Sequence, residues 1–374
     1  MNRLNTEILT HPYKKGQRIL VTSDIHGHPD HLRGVLDAAG FCTDDLLVIV
    51  GDVVEKGPDS LGALRLVMEL ASRGNALVLL GNVDAWRVQM TEGVSEDNAA
   101  DFWDYLCGLH NWCGSSFYAE MAQECGHTLT SAEDVLQAKE AILAQFREEL
   151  DFLASRPTVV QIGDFVFVHG GLRHQTLSDN ADCDVYALTK YDRFADAAPF
   201  SFPFRVVCGH WPTALYNDCI QQFNPVFRRD KNIISIDGGC GIKPEGQLNL
   251  LIIPDAHCSD DEIHHMYYDT LPKIRALEEQ KESTDSVHIN WLHSEITVLA
   301  HGEEFSEVEH LHSGRKLSVP TRYLYKGNRC RDYTDRQLGV KAGDILSLYK
   351  TTSRGCIVKK DGVMGWYCGN YETV

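Results

Sequence analysis

Three stretches of sequence with the same layout decide the fold: RILVTSDIHGH at residues 18–28, LLVIVGDVVEKG at 46–57 and ALVLLGNVDAW at 76–86. Each begins with an apolar run and continues into a polar segment that contains glycine. Short runs rich in Val, Ile and Leu are typical of strands buried on both faces of a parallel sheet. We therefore expect three neighbouring strands, each followed by a polar loop at its carboxyl end.

Helical patterns separate these strands. Residues 31–39 and 60–72 place apolar side chains at helical spacing, and strand alternating with helix indicates an α/β fold with parallel strands. Residues 84–156 are typical of a helical insertion, because aromatic and apolar residues recur there without strand-like runs. Strand patterns then return at residues 158–162, 165–168, 205–208, 233–236 and 248–253.

Composition limits the class of protein. A chain of 374 residues with 43% hydrophobic and 24% charged residues is long enough for a large and a small folded domain. Its formal net charge of −18 disfavours binding to nucleic-acid phosphates or to anionic lipid. It has no secretory signal pattern and no CxxC pair among its 12 cysteines. We expect a cytoplasmic protein with reduced thiols, and no nucleic-acid or membrane partner.

Five polar segments carry the chemistry, and each follows a strand-like run: SDIHGH at 23–28, GDVVEKG at 51–57, GNVDAW at 81–86, VHGGL at 168–172 and CGHWP at 208–212. Any one of them alone is more often a turn or a helix cap. Five in this order favour a metal site, because carboxylate, amide and imidazole groups are the ligands of hard and borderline divalent ions. The candidate ligands are Asp24, His26, Asp52, Asn82, His169 and His210.

The order DxHG, GDxxxxG, GN, HGGL and GH resembles the calcineurin-like metallophosphoesterases. Within them it is similar to the phosphoprotein phosphatase family, including its bacterial serine/threonine and diadenosine tetraphosphate branches. The resemblance spans roughly residues 18–254, and residues 233–253 (IISIDGGCGIKPEGQLNLLII) resemble the closing hairpin of that family. It implies a β-sandwich flanked by helices and a metal-dependent hydrolase.

The resemblance also implies how the ligands are shared between two divalent metal ions. Asp24 and His26 would bind the first ion, Asp52 would bridge both, and the second ion would be bound by Asn82, His169 and His210. Manganese is the expected metal, with iron or zinc as alternatives. Two such ions can promote in-line displacement at phosphorus by a bridging hydroxide.

Four positions depart from the family pattern, which includes Asn-His-Glu where this chain has Asn82, Val83 and Asp84. Glu55 and Lys56 stand where related phosphatases have aspartate and then arginine, and Val83 stands where they have the general-acid histidine. Lys56 would contact phosphate as a point charge rather than as a bidentate fork. With valine at position 83, Asp84 or Glu55 becomes the candidate that relays a proton through water.

An arginine is also expected to contact the substrate phosphate. The candidates are Arg173, Arg193 and Arg205. Arg193, in the sequence YDRF upstream of the last histidine motif, is the preferred one. A surface salt bridge is the alternative role for this residue.

The C-terminal segment resembles an SH3 domain, with strand patterns broken by Gly and Asp over residues 338–374. We predict a metallophosphoesterase domain over residues 1–275, a linker with unassigned strands over 276–324 and a small SH3-like β-barrel over 325–374. Cys368 replaces the proline that precedes the Asn-Tyr pair in SH3 domains, which argues against a proline-binding groove. The barrel would either capture a peptide or pack on its own phosphatase domain.

Two classes of function follow. The first is a phosphatase that hydrolyses phosphate monoesters, on phosphorylated protein or on small phosphate esters, with a diadenosine-tetraphosphate-type hydrolase as the alternative. The second is a weakly active, metal-bound scaffold that recruits partners through the C-terminal domain.

Overall fold

The computed structural model describes residues 4–374 and divides them into two units. The first unit comprises residues 4–212 and Pro225–Asp269, and the second comprises Thr213–Asn224 and Thr270–Val374. Within the described range, no helix is long and apolar enough to cross a membrane.

The first unit is a mixture of strands and helices. Its strands are β1 (Ile8–Thr10), β2 (Ile19–Thr22), β3 (Leu46–Ile49), β4 (Ala76–Val78), β5 (Val159–Ile162), β6 (Phe165–Val168), β7 (Arg205–Cys208), β8 (Val226–Arg228), β9 (Ile233–Ser235), β10 (Leu248–Ile253) and β11 (His264–Tyr268). Its helices are α1 (Pro29–Ala39), α2 (Ser60–Ser72), α3 (Asn82–Gly93), α4 (Ala99–Cys113), α5 (Phe117–Glu124), α6 (Ala132–Gln145), α7 (Arg147–Ala154), α8 (Val185–Thr189) and α9 (Phe194–Ala197).

Two sheets of the first unit share one core. The five-stranded sheet has the order β11-β10-β2-β3-β4, with β2, β3 and β4 parallel. The six-stranded sheet has the order β1-β5-β6-β7-β9-β8, with β6, β7 and β9 parallel. Buried residues from both sheets, among them Val48, Phe167 and Val207, belong to a single apolar cluster. The sheets therefore form a sandwich, and the predicted α/β architecture is confirmed.

Helices cover the five-stranded sheet. Side chains from β2, α1, α2 and the insertion helices α3–α7 form a second apolar cluster that includes Leu20, Leu32, Leu64, Phe102 and Phe146. Local signals set the helix limits: α1 begins at a proline and ends before Gly40 in the left-handed conformation, and the Asp59 carboxylate caps α2 by accepting from the Gly62 N–H. The helices at residues 82–154 occupy the segment predicted as a helical insertion.

The strands that precede the polar segments end earlier than predicted. β3 ends at Ile49 rather than Val50, and β4 ends at Val78 rather than Leu80, although Val50 and Leu80 remain buried. Their apolar side chains stay in the core, and the Val50 N–H still donates to the Thr22 carbonyl of β2 at 2.8 Å. The Val50 carbonyl accepts a hydrogen bond from Nδ1 of His169, one of the predicted metal ligands.

The second unit consists mainly of short and medium strands, with 3-10 helices at Thr213–Tyr216 and Thr321–Tyr323. The strands are β12 (Lys273–Ala276), β13 (His288–Ile289), β14 (Ile296–Ala300), β15 (Phe305–His310), β16 (Lys316–Pro320), β17 (Leu324–Tyr325), β18 (Arg329–Cys330), β19 (Tyr333–Thr334), β20 (Ile345–Thr352), β21 (Gly355–Lys360), β22 (Val363–Tyr367) and β23 (Tyr371–Thr373). They form an antiparallel five-stranded sheet, β22-β21-β20-β12-β23, a three-stranded sheet, β14-β15-β16, and the pairs β13-β19 and β17-β18.

The sequence did not indicate how these strands would combine. The five-stranded sheet takes β12 from residues 273–276, so the predicted boundary between residues 275 and 276 falls inside its first strand. Residues 288–320, placed in the predicted linker, form strands β13–β16. An SH3-like barrel limited to residues 325–374 is not confirmed, because the sheet built by that segment is completed by a strand from outside it.

The segment Thr213–Asn224 lies within the second unit, although it precedes the last strands of the first unit in sequence. Ala214 and Phe223 are fully buried in an apolar cluster with Val287, Ile289 and Trp366. The Phe223 N–H donates to the Gly362 carbonyl at 2.8 Å. The chain thus enters the second unit twice, and the core of that unit depends on a segment more than 40 residues upstream of β12.

We expect Phe223→Ala to lower the free energy of unfolding of the second unit by about 3–5 kcal/mol, since it leaves a cavity in that core. Urea unfolding of the full chain measures the change. Ile345→Ala, at an exposed apolar position of the same unit, should cost less than about 0.5 kcal/mol. Equal losses in the two variants would show that residues 213–224 do not contribute to this core.

Candidate metal centre

The loops after the strands hold several predicted ligands in an unusual backbone conformation. Asp24, His26, Asp52 and His210 have φ values of 55°, 47°, 53° and 67°. Residues other than glycine rarely adopt this left-handed region, and such strain persists where the surroundings impose it. Here the Asp24 N–H donates to the Gly51 carbonyl and the His26 N–H to the Asp52 carbonyl, both at 3.0 Å. The two loops therefore hold each other in place.

One group of predicted ligands lies at the end of β2 and β3. The ligand atoms of Asp24, His26 and Asp52 all lie within 4.8 Å of one another, and all three residues are buried. His26 Nε2 is 3.7 Å from Asp24 Oδ1 and 3.7 Å from Asp52 Oδ2. These distances leave the three groups able to converge on a single cation.

A second group lies on the other side of Asp52. His169 Nε2 is 3.4 Å from Asp52 Oδ1 and 3.0 Å from Asn82 Oδ1, and His210 Nδ1 is 2.8 Å from the same Asn82 oxygen. The two oxygens of Asp52 thus face different groups, Oδ2 toward His26 and Oδ1 toward His169. A carboxylate in this position is suited to bridging two cations.

The histidines are oriented by hydrogen bonds from the nitrogen that faces away from the carboxylates. His169 Nδ1–H donates to the Val50 carbonyl at 2.7 Å, and His26 Nδ1–H donates to the Val54 carbonyl at 3.3 Å. Since a carbonyl can only accept, Nδ1 of each ring carries a proton, and Nε2 is the atom that would bind a metal ion. Metal-binding histidines in proteins are held in this way.

Desolvated negative charge shows that cations fit the site. Asp24, Asp52, Asp84 and Asp237 are all 0–1% exposed. Burial raises the pKa of Asp24 and, more strongly, that of Asp237, and neighbouring carboxylates add to both shifts. Asp24 Oδ1 and Asp237 Oδ2 have no hydrogen-bond partner among the described residues. Buried carboxylates of this kind are paired or coordinate metals, so divalent ions would meet the requirement.

The histidines and carboxylates of the site are coupled by charge. Burial alone would lower the pKa of His169, but Asp52 and Asp24 raise it to about 10. Burial, together with the positive charge of Lys56, holds the pKa of His26 well below its ordinary value. The carboxylates therefore favour positive charge at His169, whereas burial and Lys56 disfavour it at His26.

Of the other predicted site residues, Lys56 contacts the cluster, whereas Arg193 forms its ion pair with a residue outside the predicted ligands. Lys56 Nζ is 3.1 Å from His26 Nε2. Arg193 has a half-exposed side chain and pairs with Asp196 at 3.4 Å. Arg173 donates to the carbonyls of Ala187 and Lys190 and stacks over Tyr191, and Arg205 pairs with Asp260 at 2.5 Å. Of these four cations, Lys56 is the one with a contact to a predicted metal ligand.

Asp84 and Glu55, the predicted proton relays, are engaged in holding the backbone. The Asp84 carboxylate accepts from the N–H groups of Val53 at 2.9 Å, Val54 at 3.2 Å and Gly81 at 3.3 Å. Burial and the nearby Asp52 raise the pKa of Asp84 to about 7. Glu55 is buried in an ion pair with Arg87 and accepts from the Phe117 N–H. These contacts fix the loop that carries Asp52.

Two residues of the cluster were not singled out from the sequence. Asp192 Oδ1 lies 2.9 Å from His210 Nε2, and the imidazole lowers the pKa of this carboxyl. It precedes Arg193, and nothing in the local sequence distinguishes it from an ordinary loop aspartate. Asp237 lies in the IDGG sequence within the stretch that resembled a closing hairpin, so its position was visible although its role was not.

Two glycines permit the close approach of the loops. A side chain at Gly81 would overlap with the backbone nitrogen and Oδ1 of Asp52, and one at Gly209 would overlap with Oδ2 of Asp24. The absence of Cβ at these positions is therefore a condition for placing both carboxylates.

The comparison with known families agrees with this geometry. The family described as "Calcineurin-like phosphoesterase" matches residues 17–237, which is more than half of the chain. The chain belongs to the calcineurin-like phosphoesterase family. The matched range contains all six residues predicted to bind metal, and it ends at Asp237.

Relatives of this calcineurin-like phosphoesterase differ in how much of it they match. "Bis(5'-nucleosyl)-tetraphosphatase, symmetrical" of Aeromonas hydrophila is 44% identical over 73 residues, which is 19% of this chain and 26% of the relative. The enzyme of the same name from Glaesserella parasuis is 28% identical over 182 residues, 47% of this chain and 54% of the relative. The chain thus spans about a quarter to a half of these curated relatives. A solved protein serine/threonine phosphatase from Saccharomyces cerevisiae is 13% identical, with a TM-score of 0.43 over 72% of this chain and 85% of that chain.

We expect Gly81→Ala to lower phosphoesterase turnover by about 100-fold or more, because its methyl group displaces Asp52. Turnover of p-nitrophenyl phosphate with manganese, together with metal content, measures the effect. Gly93→Ala, at the other end of the same helix, meets open space and should keep activity and metal content. Normal activity in Gly81→Ala would contradict the tight packing of these loops.

Proposed function

We propose that the chain is a phosphoesterase that holds two divalent metal ions in the cluster described above. The observation that carries this proposal is the placement of Asp52, whose two oxygens face His26 on one side and His169 on the other. Asp24 and His26 would hold one ion, and Asn82, His169 and His210 the other. Manganese is the proposed metal, with iron or zinc as alternatives, since the donor set is oxygen and imidazole.

Two such ions, when bound, supply Lewis-acid activation of a phosphoryl group and of water. The residues of the chain supply orientation. Asp84 fixes the loop that carries Asp52 through three backbone N–H groups, and Asp192 fixes the His210 ring. Lys56 would contribute a positive charge to a phosphoryl oxygen.

The residue at position 83 bears on the substrate class. The Val83 N–H donates to Asp52 Oδ1 at 2.9 Å, and its side chain is buried and cannot donate a proton. Asp84 and Glu55 are engaged in the contacts given above, so an ordinary general acid is not supplied by these neighbours. We therefore favour substrates whose leaving group needs little protonation, namely polyphosphates and aryl phosphates over alkyl phosphates.

Two substrate classes fit this preference to different degrees. A dinucleotide polyphosphate has a phosphate leaving group, and the names of the curated relatives support this class. A phosphoprotein substrate would be a phosphorylated tyrosine more readily than a phosphorylated serine, because a phenolate is a weaker base than an alkoxide. Small aryl phosphate esters would also be accepted.

A second candidate function is a weakly active, metal-bound scaffold, which the valine at position 83 also favours. In that case the second unit would recruit a partner, and an SH3-like peptide contact would be one form of this. Both functions require metal, so only turnover separates them.

We expect Asp52→Asn to lose more than about 100-fold in turnover and to bind less metal. The change removes negative charge from the proposed ligand that lies between His26 and His169. The assay is hydrolysis of p-nitrophenyl phosphate with manganese, with metal counted by elemental analysis. Asp30→Asn, at a strongly exposed carboxylate of α1, should behave as the unmodified chain. A wild-type rate no higher than that of Asp52→Asn would reject the enzyme and leave the scaffold.

The leaving-group preference gives a separate expectation. Turnover should fall steeply from diadenosine tetraphosphate and nitrophenyl phosphate to phenyl phosphate and then to phosphoserine peptide, by at least about 100-fold overall. Single-turnover kinetics on each substrate establishes that the chemical step is measured. Equal single-turnover rates across the series would mean that the site does contain an effective general acid.

A further inference from the structure

The second unit contains a group of potential metal ligands made of residues that the proposed function does not use. The ligand atoms of Asp218, His293 and His312 lie within 4.8 Å of one another. Asp218 Oδ2 is 3.7 Å from His312 Nε2 and 4.0 Å from His293 Nε2, and the two imidazole rings stack with centroids 3.6 Å apart. All three side chains are partly exposed, so an ion could reach them from solvent.

Asp218 is held with one oxygen directed at the histidines. Its Oδ1 accepts a hydrogen bond from Asn290 Nδ2 at 3.2 Å, and its backbone carbonyl accepts from the His288 N–H at 2.8 Å. The remaining oxygen, Oδ2, is the one that faces both imidazoles. Metal-binding carboxylates commonly have their second oxygen fixed in this way.

The buried side chain of Asn290 also positions His293. Its Oδ1 accepts from the N–H groups of Leu292 at 3.0 Å and His293 at 3.2 Å, and its backbone carbonyl accepts from the His293 N–H at 3.0 Å. Asn290 is 0% exposed. A single buried amide therefore sets both the carboxylate and the tight turn that carries the first histidine.

A second buried residue, His310, links the turns that carry the two histidines. His310 Nε2–H donates to the His293 carbonyl at 2.7 Å, which leaves Nδ1 to accept from the Ser313 hydroxyl at 2.9 Å. His312 lies between these two residues in the turn that joins β15 to β16. Two buried polar side chains thus hold Asp218 and His293 and fix the turn that carries His312.

The donor set selects the kind of ion. Two imidazole nitrogens and one carboxylate oxygen suit first-row transition metals, whereas magnesium and calcium prefer oxygen ligands alone. Zinc binds nitrogen at about 2.0–2.1 Å, so neighbouring ligand atoms of a tetrahedral site lie roughly 3.4 Å apart. The separations of 3.7 and 4.0 Å to Asp218 Oδ2 are a few tenths of an ångström above this value.

We propose that Asp218, His293 and His312 bind one first-row divalent metal ion, best fitted by zinc, with a fourth position open to water. The ion would tie the segment Thr213–Asn224 to the turns at residues 290–293 and 310–314 within the second unit. Binding to the folded state alone stabilises that state, so zinc would raise the stability of the second unit. This site does not rest on the proposed phosphoesterase activity.

Zinc counting on the full chain tests the proposal. The chain is dialysed against a chelator, reloaded with zinc, freed of excess and analysed for bound zinc, and the affinities are measured by competition with a chromophoric chelator. His312→Gln should bind one zinc ion fewer than the unmodified chain, or bind it at least about tenfold more weakly. His301→Gln, at an exposed histidine between β14 and β15, should bind as the unmodified chain does.

Two further readouts complete the test. Asp218→Asn keeps the shape of the side chain and should also weaken zinc binding. Zinc should raise the midpoint temperature of thermal unfolding more in the unmodified chain than in either variant. Turnover of p-nitrophenyl phosphate with manganese should be the same in all of them. Equal zinc counts and affinities in the unmodified chain, His312→Gln and Asp218→Asn would overturn the site, as would an equal loss in His301→Gln.

Discussion

Negative charge buried at the carboxyl ends of parallel strands constrains the first unit more than any other interaction. Asp24 and Asp52 lie in the loops that follow β2 and β3, where water is excluded, and a desolvated carboxylate costs several kcal/mol unless it is paired. Asp84 meets this requirement with three backbone N–H groups. Asp24 retains an oxygen without a hydrogen-bond partner among the described residues. The Asp84 carboxylate thus holds the backbone, and the Asp24 carboxylate is one that a bound cation would stabilise.

The backbone near these carboxylates is strained, because bringing them together requires a left-handed conformation. Asp24, His26, Asp52 and His210 each adopt a left-handed conformation, and each such residue costs on the order of 1–3 kcal/mol. The sandwich offsets that cost, because buried strand residues such as Val48 and Phe167 fix the strand ends from which the loops depart. Glycine at positions 81 and 209 removes the side chains that would otherwise prevent contact. Apolar burial in the two sheets thus offsets the backbone strain of the polar cluster.

The sequence predicted the parts of the molecule that depend on local pattern. The limits of α2, β6, β7 and β10 were correct, because apolar runs and helical periodicity are properties of short windows. The six residues predicted to bind metal lie close together, because the loops that follow strands of both sheets converge; their role as ligands stays a prediction. The role of Asp192 and the entry of residues 213–224 into the second unit were missed. Both features depend on contacts between distant parts of the chain, and the local sequence of neither segment predicts those contacts.

Position 83 separates what the site needs to hold metal from what it needs for a particular substrate. The main-chain N–H of Val83 donates to Asp52, and any residue except proline could do the same. The contact with Asp52 therefore depends on the backbone at this position and not on the side chain. The same reasoning applies to Lys56, which supplies positive charge near His26 but lacks the planar fork of an arginine. Under the proposed function, a chain that keeps all six predicted ligands and changes both of these neighbours would differ from related phosphatases in leaving-group assistance and phosphate contact rather than in its metal centre.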